Sequence, residues 1–393
     1  MKTNQAIFMT FFLVAFVAGC TTPHQVENRV TKQNYHQVSL PIESDPSITE
    51  PVRTWLGYGE QYLYNPESDS TSVRVSGDQL NTLVLSGGGS KGAFGVGFVT
   101  ALYDQGKLPD YSIVTGVSAG ALMAPFVFVG GEEIPKLKST IMGMNDKMLL
   151  GHKNFFNVVF KDGISKGESF MSYVASVYDD EFIEKIAQQH RDGRRLLIGT
   201  THFDSGEMVV WNLGQIAASD YDQKSHLIHQ VLVASASIPA VFPPQFIEVE
   251  YQEESLEEMH VDGGLSAQMF LQAANIDFQN ISDALGLSKQ PQVHIIRNGM
   301  LKMPYEIVED KGMDLLSRTL KSMTTLQSRG DLYRMMYLSE LQELDVSFTY
   351  IDENTTVTQE SNKIFDVQYM QELYLYGYAK GQETTPWTTE IPN

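Results

Sequence analysis

The chain has very little cysteine and relatively little charge. One cysteine, Cys20, occurs among 393 residues, so an intramolecular disulfide, a CxxC redox pair and a cysteine-built zinc site are all excluded. Charged residues make up 19% of the chain, below the usual share of about 25%, while 42% of the residues are hydrophobic. This composition excludes a disordered chain and predicts a folded protein with a large core.

Basic residues and long apolar runs are also scarce. The 28 lysines and arginines face 48 acidic residues, for a formal charge of −20. An acidic surface repels nucleic acid and anionic headgroups, so we expect no nucleic-acid partner. The longest apolar run, residues 6–19, is shorter than the roughly 20 residues that span a bilayer.

That apolar run and the cysteine after it predict a targeting signal. Lys2 and the run over 6–19 are typical of a signal peptide covering residues 1–19. Val17-Ala18-Gly19-Cys20 resembles a bacterial lipobox, in which the cysteine is acylated and becomes the first residue of the mature chain. An ordinary secreted protein with a stray cysteine is the alternative. Since Thr21 is not the aspartate of inner-membrane retention, we expect a lipid-anchored envelope protein at the outer membrane.

Periodicity divides the rest of the chain. Residues 20–77 are polar and rich in proline, and predict a lipidated N-terminus and tether with one docked piece around Trp55-Leu56-Gly57-Tyr58. A single domain over 78–382 and a tail over 383–393 follow. In the domain, apolar runs alternate with amphipathic stretches, which predicts an α/β fold with a mainly parallel sheet. The expected strands are 82–85, 112–115, 196–200, 208–211 and 293–296.

A glycine-rich loop follows the first of these strands. Ser86-Gly87-Gly88-Gly89-Ser90-Lys91-Gly92 leads into a helix of small residues, and its backbone N–H groups can converge on an anion at the helix N-terminus. The loop also matches G-x-G-x-x-G. A dinucleotide site needs an acidic residue after the next strand, whereas Asp110 precedes that strand, which argues against this alternative.

The next strand runs into Gly116-Val117-Ser118-Ala119-Gly120. A G-x-S-x-G turn between an apolar strand and a helix predicts a strained elbow that exposes the serine hydroxyl. The same string recurs around Ser165, without a strand before it or a helix of small residues after it. We therefore predict Ser118 as a nucleophile and Ser165 as a loop or helix-start residue.

The general base for Ser118 has three candidates. His294 lies within an apolar strand and is predicted to be a core histidine. His260 and Asp262 both lie in His260-Val261-Asp262-Gly263-Gly264, where a strand breaks into a turn. Asp-Gly alone is typical of turns, so these residues by themselves leave the base open.

Taken together, the motifs resemble the patatin-like phospholipases. That family has a G-G-G-x-[RK]-G loop, a G-x-S-x-G elbow and a later D-G-[GA], matched here by 87–92, 116–120 and 262–264. The proline-bearing block 234–244 is also similar, and the resemblance extends over roughly 80–381. It implies a three-layer α/β/α fold and a Ser-Asp dyad that needs neither metal nor cofactor.

Carried over, the resemblance assigns a role to each motif. Ser118 attacks an ester carbonyl, Asp262 is its base, and the N–H groups of Gly87, Gly88 and Gly89 hold the oxyanion. Lys91 is expected to brace the loop or a carboxylate. The remaining motif glycines are structural support: Gly92, Gly116, Gly120, Gly263 and Gly264. An ordinary aspartate is a weak base for an alcohol, so we expect a raised pKa at Asp262.

Other polar and apolar clusters favour structural roles. His226 and His229 have helical spacing without a third ligand and predict a polar helix face, and Asp352-Glu353-Asn354 predicts a solvated turn. Residues 303–341 carry leucine and methionine at helical spacing. The first interpretation is core helices over the sheet, and the alternative is a soft methionine-rich lip for acyl chains.

The predicted function is a lipid acyl hydrolase of phospholipase A or lysophospholipase type, acting on membrane lipid or another lipid ester. A carboxylesterase, thioesterase or acyltransferase using the same dyad is the enzymatic alternative. A catalytically silent lipoprotein that binds lipid or a partner is the non-enzymatic one.

Overall fold

All five apolar runs form strands of one sheet. The computed structural model describes residues 28–58, 61–146, 164–239, 241–272, 276–359, 361 and 363–392. The strands are β1 Arg53–Trp55, β2 Tyr64–Asn65, β3 Ser70–Thr71, β4 Asn81–Leu85, β5 Ile113–Val117, β6 Arg195–His202, β7 Glu207–Asn212, β8 Gln245–Tyr251, β9 Glu254–Asp262, β10 Gln292–Arg297 and β11 Asp345–Tyr350.

The centre of the sheet is parallel and its β1 side is antiparallel. The order is β1-β7-β6-β5-β4-β10-β11, and the steps from β6 to β11 are parallel. β7 and β1 continue the sheet antiparallel beyond β6, and the hairpin β8–β9 joins it through β9. The predicted mainly parallel central sheet is confirmed for β4, β5, β6, β10 and β11.

The helices cover both faces of the sheet. They are α1 Gly92–Asp104, α2 Ala119–Val129, α3 Ile134–Gly143, α4 Ile164–Val177, α5 Asp180–Arg191, α6 Leu213–Ala218, α7 Lys224–Ser235, α8 Phe278–Ala284, α9 Gly312–Leu341 and α10 Val367–Gly381. Short 3₁₀ turns lie at Pro41–Ser44, Gly89–Lys91, Gly131–Glu133 and Gly263–Leu265.

Each face of the sheet has its own hydrophobic cluster, because successive side chains of a strand point to opposite sides. Leu83 and Leu85 of β4 join one cluster with residues of α1, α2 and α10, while Val84 joins the other with residues of α8 and α9. β6 divides in the same way, with Leu196 on the first side and Leu197 on the second. The layers are α/β/α, as the resemblance implied.

Glycines let α1 and α10 pack backbone to backbone. A Cβ on Gly97 would lie 2.0 Å from the carbonyl oxygen of Tyr374, and one on Gly377 would lie 2.0 Å from that of Phe94. Side chains at either glycine would force the helices apart. This contact holds α1 against the first face of the sheet, with its N-terminus at the glycine-rich loop.

The prediction of a tether over 20–77 is wrong for residues 28–58 and 61–77, the part of that segment that the structure describes. Val30, Leu40, Ile42 and Val52 are buried, and β1 pairs with β7, so the docked piece expected around Trp55 extends well beyond it. These apolar residues are too widely spaced to produce a helical or alternating pattern, and their burial comes from contacts made far along the chain. Cys20 and residues 1–27 lie outside the described residues.

Two buried ion pairs attach this N-terminal segment to the sheet. Glu50 accepts a hydrogen bond from Arg195 Nε at 2.8 Å, and Arg53 pairs with Glu258. Although burial raises a carboxyl pKa, Arg53 lowers that of Glu258 to about 2. The C-terminal tail also docks, since Thr388 bridges to Phe348 of β11.

Candidate active site

The strand order places Ser118 and Asp262 next to each other. β5 ends at Val117, whose partner on β6 is Gly199, and the next residue, Thr200, pairs with Asp262 at the end of β9. A serine that follows β5 and an aspartate that ends β9 therefore meet across β6. This is the edge where the carboxyl ends of the parallel strands lie, the usual place for a ligand site in an α/β sheet.

Ser118 occupies a strained turn between β5 and α2. Its φ of 54° and ψ of −121° are unfavourable for a side chain with a Cβ. The two motif glycines allow the turn, because a Cβ on Gly116 would lie 2.7 Å from the Gly120 carbonyl oxygen and one on Gly120 would lie 2.2 Å from that of Leu85. The predicted elbow is confirmed, as is the start of a helix at Ser165, which lies in α4.

Ser118 and Asp262 are joined by a hydrogen bond. Ser118 Oγ donates to Asp262 Oδ2 at 2.7 Å, and the Gly264 N–H donates to Asp262 Oδ1 at 2.7 Å. Both side chains are buried. Burial raises the pKa of Asp262 to about 6, while its two hydrogen bonds act to lower that pKa. The elevation agrees with the expectation from the sequence.

The glycines around Asp262 are required by close backbone contacts. A Cβ on Gly263 would lie 2.4 Å from the Gly199 carbonyl oxygen, and one on Gly264 would lie 2.7 Å from Gln268 Nε2. Asp262 is also held through its main chain, since its N–H donates to Ser237 O at 3.0 Å. The carboxylate is thus fixed before any substrate arrives.

Neither histidine candidate hydrogen-bonds to Ser118. His260 contacts Thr200 Oγ1 at 3.0 Å and Glu258 Oε2 at 3.2 Å. His294 contacts the Tyr111 hydroxyl at 3.1 Å and is a core histidine, as predicted. Burial lowers the pKa of both rings, to about 4 at His294.

The glycine-rich loop requires one correction. Gly87 N–H donates to the Gln268 carbonyl oxygen at 3.0 Å. The resemblance implied that this N–H is a free donor, but the hydrogen bond already uses it. Within the described residues, the N–H groups of Gly88 and Gly89 have no backbone partner. Gly89 also lines the cavity beside Ser118. The N–H groups of this loop that are free to donate to a bound group are therefore those of Gly88 and Gly89.

Residues after β10 hold this loop in place. Arg297 Nη1 donates to Gly87 O at 2.7 Å, and Asn298 Nδ2 donates to Ser86 O at 2.9 Å. Asn298 Oδ1 accepts the Gly95 N–H of α1 at 3.1 Å. The loop is thus fixed to β10 and to α1 on either side.

Gln268 connects the loop to the Asp262 turn. Its carbonyl accepts Gly87 N–H, its Nε2 donates to Gly264 O at 2.7 Å, and its own N–H donates to Asp331 Oδ2 at 2.7 Å. Ser235 supports the elbow, accepting Ser118 N–H at 3.0 Å and donating to Gly199 O at 2.7 Å.

Sequence reasoning missed these supporting roles. Ser235 lies in the block 234–244, and the other four residues lie within the wider range over which the resemblance extends, but no motif assigned a role to any of them. The missing information is a hydrogen-bond partner far away in sequence, which no local pattern contains.

Two roles were open for Lys91, bracing the loop or bracing a carboxylate, and the second is not seen among the described residues. No acidic group in the described part of the chain lies within 4 Å of its ammonium. Burial, together with the nearby Arg297 and Lys321, lowers the pKa of Lys91 to about 8. Three cationic groups therefore create a positive field beside the glycine-rich loop.

An apolar cavity opens beside Ser118. Phe170 and Phe242 stack in it with ring centroids 4.8 Å apart, and Phe365 lies 6.3 Å from Phe242. Its lining comes from α2, α3, α4 and α10 and from the loop after α7: Gly89, Ser118, Ala119, Leu122, Ile141, Met144, Phe170, Ala236, Ile238, Phe242, Phe365 and Met370.

The histidine pair on α7 does not form a polar face. His226 is exposed as predicted, but His229 is buried and its Nε2 lies 2.6 Å from Tyr178 O. Across the described ranges, no group of three or more potential ligands could hold a metal ion. Nor does any described helix combine the length and apolarity needed to cross a bilayer.

Comparison with known proteins supports the family expectation. Residues 83–275 match the family model for patatin-like phospholipase. A patatin-like phospholipase domain-containing protein of Pyricularia oryzae is 23% identical over 286 residues, covering 69% of this chain and 34% of that protein. Triacylglycerol lipase 4 of Saccharomyces cerevisiae is 29% identical over 185 residues, covering 41% and 18%. The chain thus spans about a third or less of the length of these relatives.

Among solved structures, VipD from Legionella pneumophila aligns with 86% of this chain and 71% of its own, at 14% identity and a TM-score of 0.38. The family match covers the glycine-rich loop, the Ser118 elbow and the Asp262 turn, which the fold brings together at one edge of the sheet. Residues 83–275 of this chain, just under half of it, therefore match the patatin-like phospholipase family.

Proposed function

We propose that this protein is a lipid acyl hydrolase that cleaves carboxylic esters through Ser118 and Asp262. The observation that carries the proposal is the 2.7 Å hydrogen bond from Ser118 Oγ to Asp262 Oδ2 at a strained elbow. A protein that only binds lipid has no need of backbone strain under a buried serine, which argues against the silent lipoprotein.

The reaction has two halves. Ser118 Oγ attacks the ester carbonyl carbon while its proton passes to Asp262 Oδ2, and the N–H groups of Gly88 and Gly89 donate to the oxyanion. Collapse of the tetrahedral intermediate releases the alcohol, which takes that proton, and leaves an acyl group on Ser118. Water then attacks the acyl-enzyme while it loses a proton to Asp262. As the fatty acid leaves, Asp262 returns that proton to Ser118 Oγ, which restores the starting dyad.

The surroundings of the dyad favour a phospholipid. The apolar cavity beside Ser118 suits an acyl chain, since hydrocarbon gains from leaving water. The positive field of Lys91, Arg297 and Lys321 favours an anionic group next to the scissile ester. A lysophospholipid or a diacyl phospholipid fits both features.

The N-terminal segment extends this proposal to the cell envelope. We propose that residues 1–19 are a signal peptide and that acylated Cys20 anchors the enzyme, at the outer membrane of a bacterium. Radiolabelled palmitate should be incorporated by the parent and not by Cys20→Ser. Incorporation by both would remove Cys20 as the attachment site.

The test of the dyad is fatty-acid release from phospholipid micelles in the presence of a calcium chelator. The parent should release fatty acid, whereas Ser118→Ala and Asp262→Asn should be at least about 100-fold slower while remaining folded. Ser165→Ala is the matched control, because it changes the serine of the second G-x-S-x-G string. No hydrolysis of any ester, with no fluorophosphonate labelling of Ser118, would favour the binding lipoprotein.

A further inference from the structure

One side of the long helix α9 is apolar and faces outward. The interpretation of residues 303–341 as core is right for Leu332 and Met335, which are buried, and wrong for most other apolar residues of the helix. Eight side chains that are 49–64% exposed follow one another at helical spacing and form what we call the apolar stripe: Leu315, Leu316, Leu320, Met323, Leu326, Tyr333, Tyr337 and Leu341.

The stripe runs along the whole helix. Thirty residues make α9 about 45 Å long, and the buried Thr325, Ser328, Leu332 and Met335 lie on the other side. The loop before α9 adds Tyr305 and Ile307, which are 95% and 86% exposed. A contiguous apolar surface of this extent marks an interaction site in a folded protein.

The stripe passes the rim of the active site. Gln327, next to Leu326, accepts a hydrogen bond from Gln268 Nε2 at 3.3 Å and donates one to Leu265 O at 3.4 Å. Leu265 ends the turn that begins at Asp262 and is itself 47% exposed. Whatever covers the stripe therefore also lies near the turn that carries Asp262.

The charge of this part of the helix differs from that of the protein. Residues 315–330 contain Arg318, Lys321 and Arg329 and no acidic residue, in a chain of net charge −20. Arg318 pairs with Glu306, but Lys321 and Arg329 have no carboxylate within 4 Å among the described residues. Outward apolar residues combined with unpaired cations are typical of helices that lie in a bilayer interface.

We propose that the apolar stripe of α9 binds the surface of an anionic lipid bilayer and holds the opening beside Ser118 against it. A second copy of the chain is a poorer occupant. A twofold contact centred on 315–330 would bring together two cationic segments that contain no carboxylate. Anionic headgroups instead complement Lys321 and Arg329, while the acyl region accommodates the stripe.

A fluorescent probe tests this contact without catalysis. In full-length protein carrying Cys20→Ser and Ser118→Ala, Leu320→Cys places an environment-sensitive nitrobenzoxadiazole label on the stripe. Glu254→Cys places the same label on the exposed β8–β9 hairpin as a control. Vesicles of phosphatidylcholine and phosphatidylglycerol should blue-shift and brighten the label at 320 and leave the label at 254 unchanged.

Two results would overturn the proposal. The first is an unchanged spectrum at 320 with anionic vesicles. The second is a blue shift at 320 that appears without vesicles and grows with protein concentration, which would assign the stripe to a second copy.

A second experiment rests on the proposed function. Replacing Leu320, Met323 and Leu326 together by serine removes exposed apolar area, so activity on anionic vesicles should fall about tenfold or more. Activity on a water-soluble short-chain ester should stay at the parent level. Leu375→Ser, at an exposed leucine of α10, is the control and should retain both activities.

The outcomes separate the two proposals. If the triple serine variant loses activity equally on vesicles and on the soluble ester, the substitutions have damaged the enzyme itself. That result would contradict a bilayer role for the stripe. A parent inactive on every ester, but with the blue shift at 320, would remove the proposed hydrolase function and leave the bilayer contact standing.

Discussion

The pH dependence of Ser118 acylation tests how the structure tunes Asp262. Burial raises the pKa of Asp262 to about 6, and only the ionised carboxylate can accept the serine proton. At pH 5 about one carboxylate in eleven is ionised, so kcat/KM should be about tenfold below its plateau, and about thirtyfold below at pH 4.5. A solvated aspartate, with a pKa of about 3.9, would leave the rate nearly flat down to pH 5.

The assay is kcat/KM for a water-soluble short-chain ester between pH 4.5 and 8, beside the rate of fluorophosphonate labelling of Ser118. The effect of Asp262 titration on folding stability cannot produce the same loss of activity at low pH, which is the acid limb of the profile. Its raised pKa stabilises the folded state below about 3.8, and that contribution is lost as the pH rises through about 6. Glu258, whose pKa is lowered to about 2, contributes stability that is present above 4.5 and lost only below the assay range.

Asp331 is the control for this profile, because burial also raises the pKa of its carboxyl group. Asp331→Asn should weaken the support of Gln268 and lower the plateau, yet leave the midpoint of the acid limb in place. A limb that disappears in Asp331→Asn, or a parent rate that stays flat down to pH 5, would refute the assignment of Asp262 as the base.

Three further changes test other parts of the structure. Glu258→Gln leaves Arg53 buried without its partner charge and should cost about 3–5 kcal/mol in a denaturant titration, and a loss below about 1 kcal/mol would contradict a structural role for the N-terminal segment. Gly88→Ala would place a Cβ 2.2 Å from Asn298 O, so the loop must shift. We expect kcat to fall about 100- to 1,000-fold while the circular dichroism spectrum stays unchanged. A near-normal kcat would exclude Gly88 as a donor. Phe242→Ala enlarges the apolar cavity and should favour longer acyl chains by up to about fourfold in kcat/KM for each methylene newly accommodated, and an unchanged chain-length profile would place the acyl chain elsewhere.

The fold and the centre of the site were predictable because their signals are local. Each signal is contained in a few neighbouring residues: an apolar run of strand length, the glycines of the loop or of the elbow, or the Asp-Gly turn. The strands at β4, β5, β6, β7 and β10 and the elbow at Ser118 follow from such signals. The order of the motifs then identified the resemblance, which selected Asp262 over His260 and His294.

The N-terminal segment was not predictable in this way. Its buried residues, among them Val30, Leu40 and Val52, are isolated in a polar, proline-rich sequence. Their stabilisation comes from β7, β8 and β9, which follow much later in the chain. Composition alone therefore suggested a tether where the structure has a packed layer.

The sequence by itself determined that an α/β sheet carries a serine elbow, a glycine-rich loop and an Asp-Gly turn, since each depends on neighbouring residues. Only the tertiary structure decided which groups these motifs meet. Gly87 gives its N–H to Gln268, and Ser118 donates to Asp262 across β6. Helical spacing shows that α9 has an apolar side, but not whether that side faces the core or the outside. Partners distant in the chain settle both questions, because hydrogen bonds and burial depend on proximity in space.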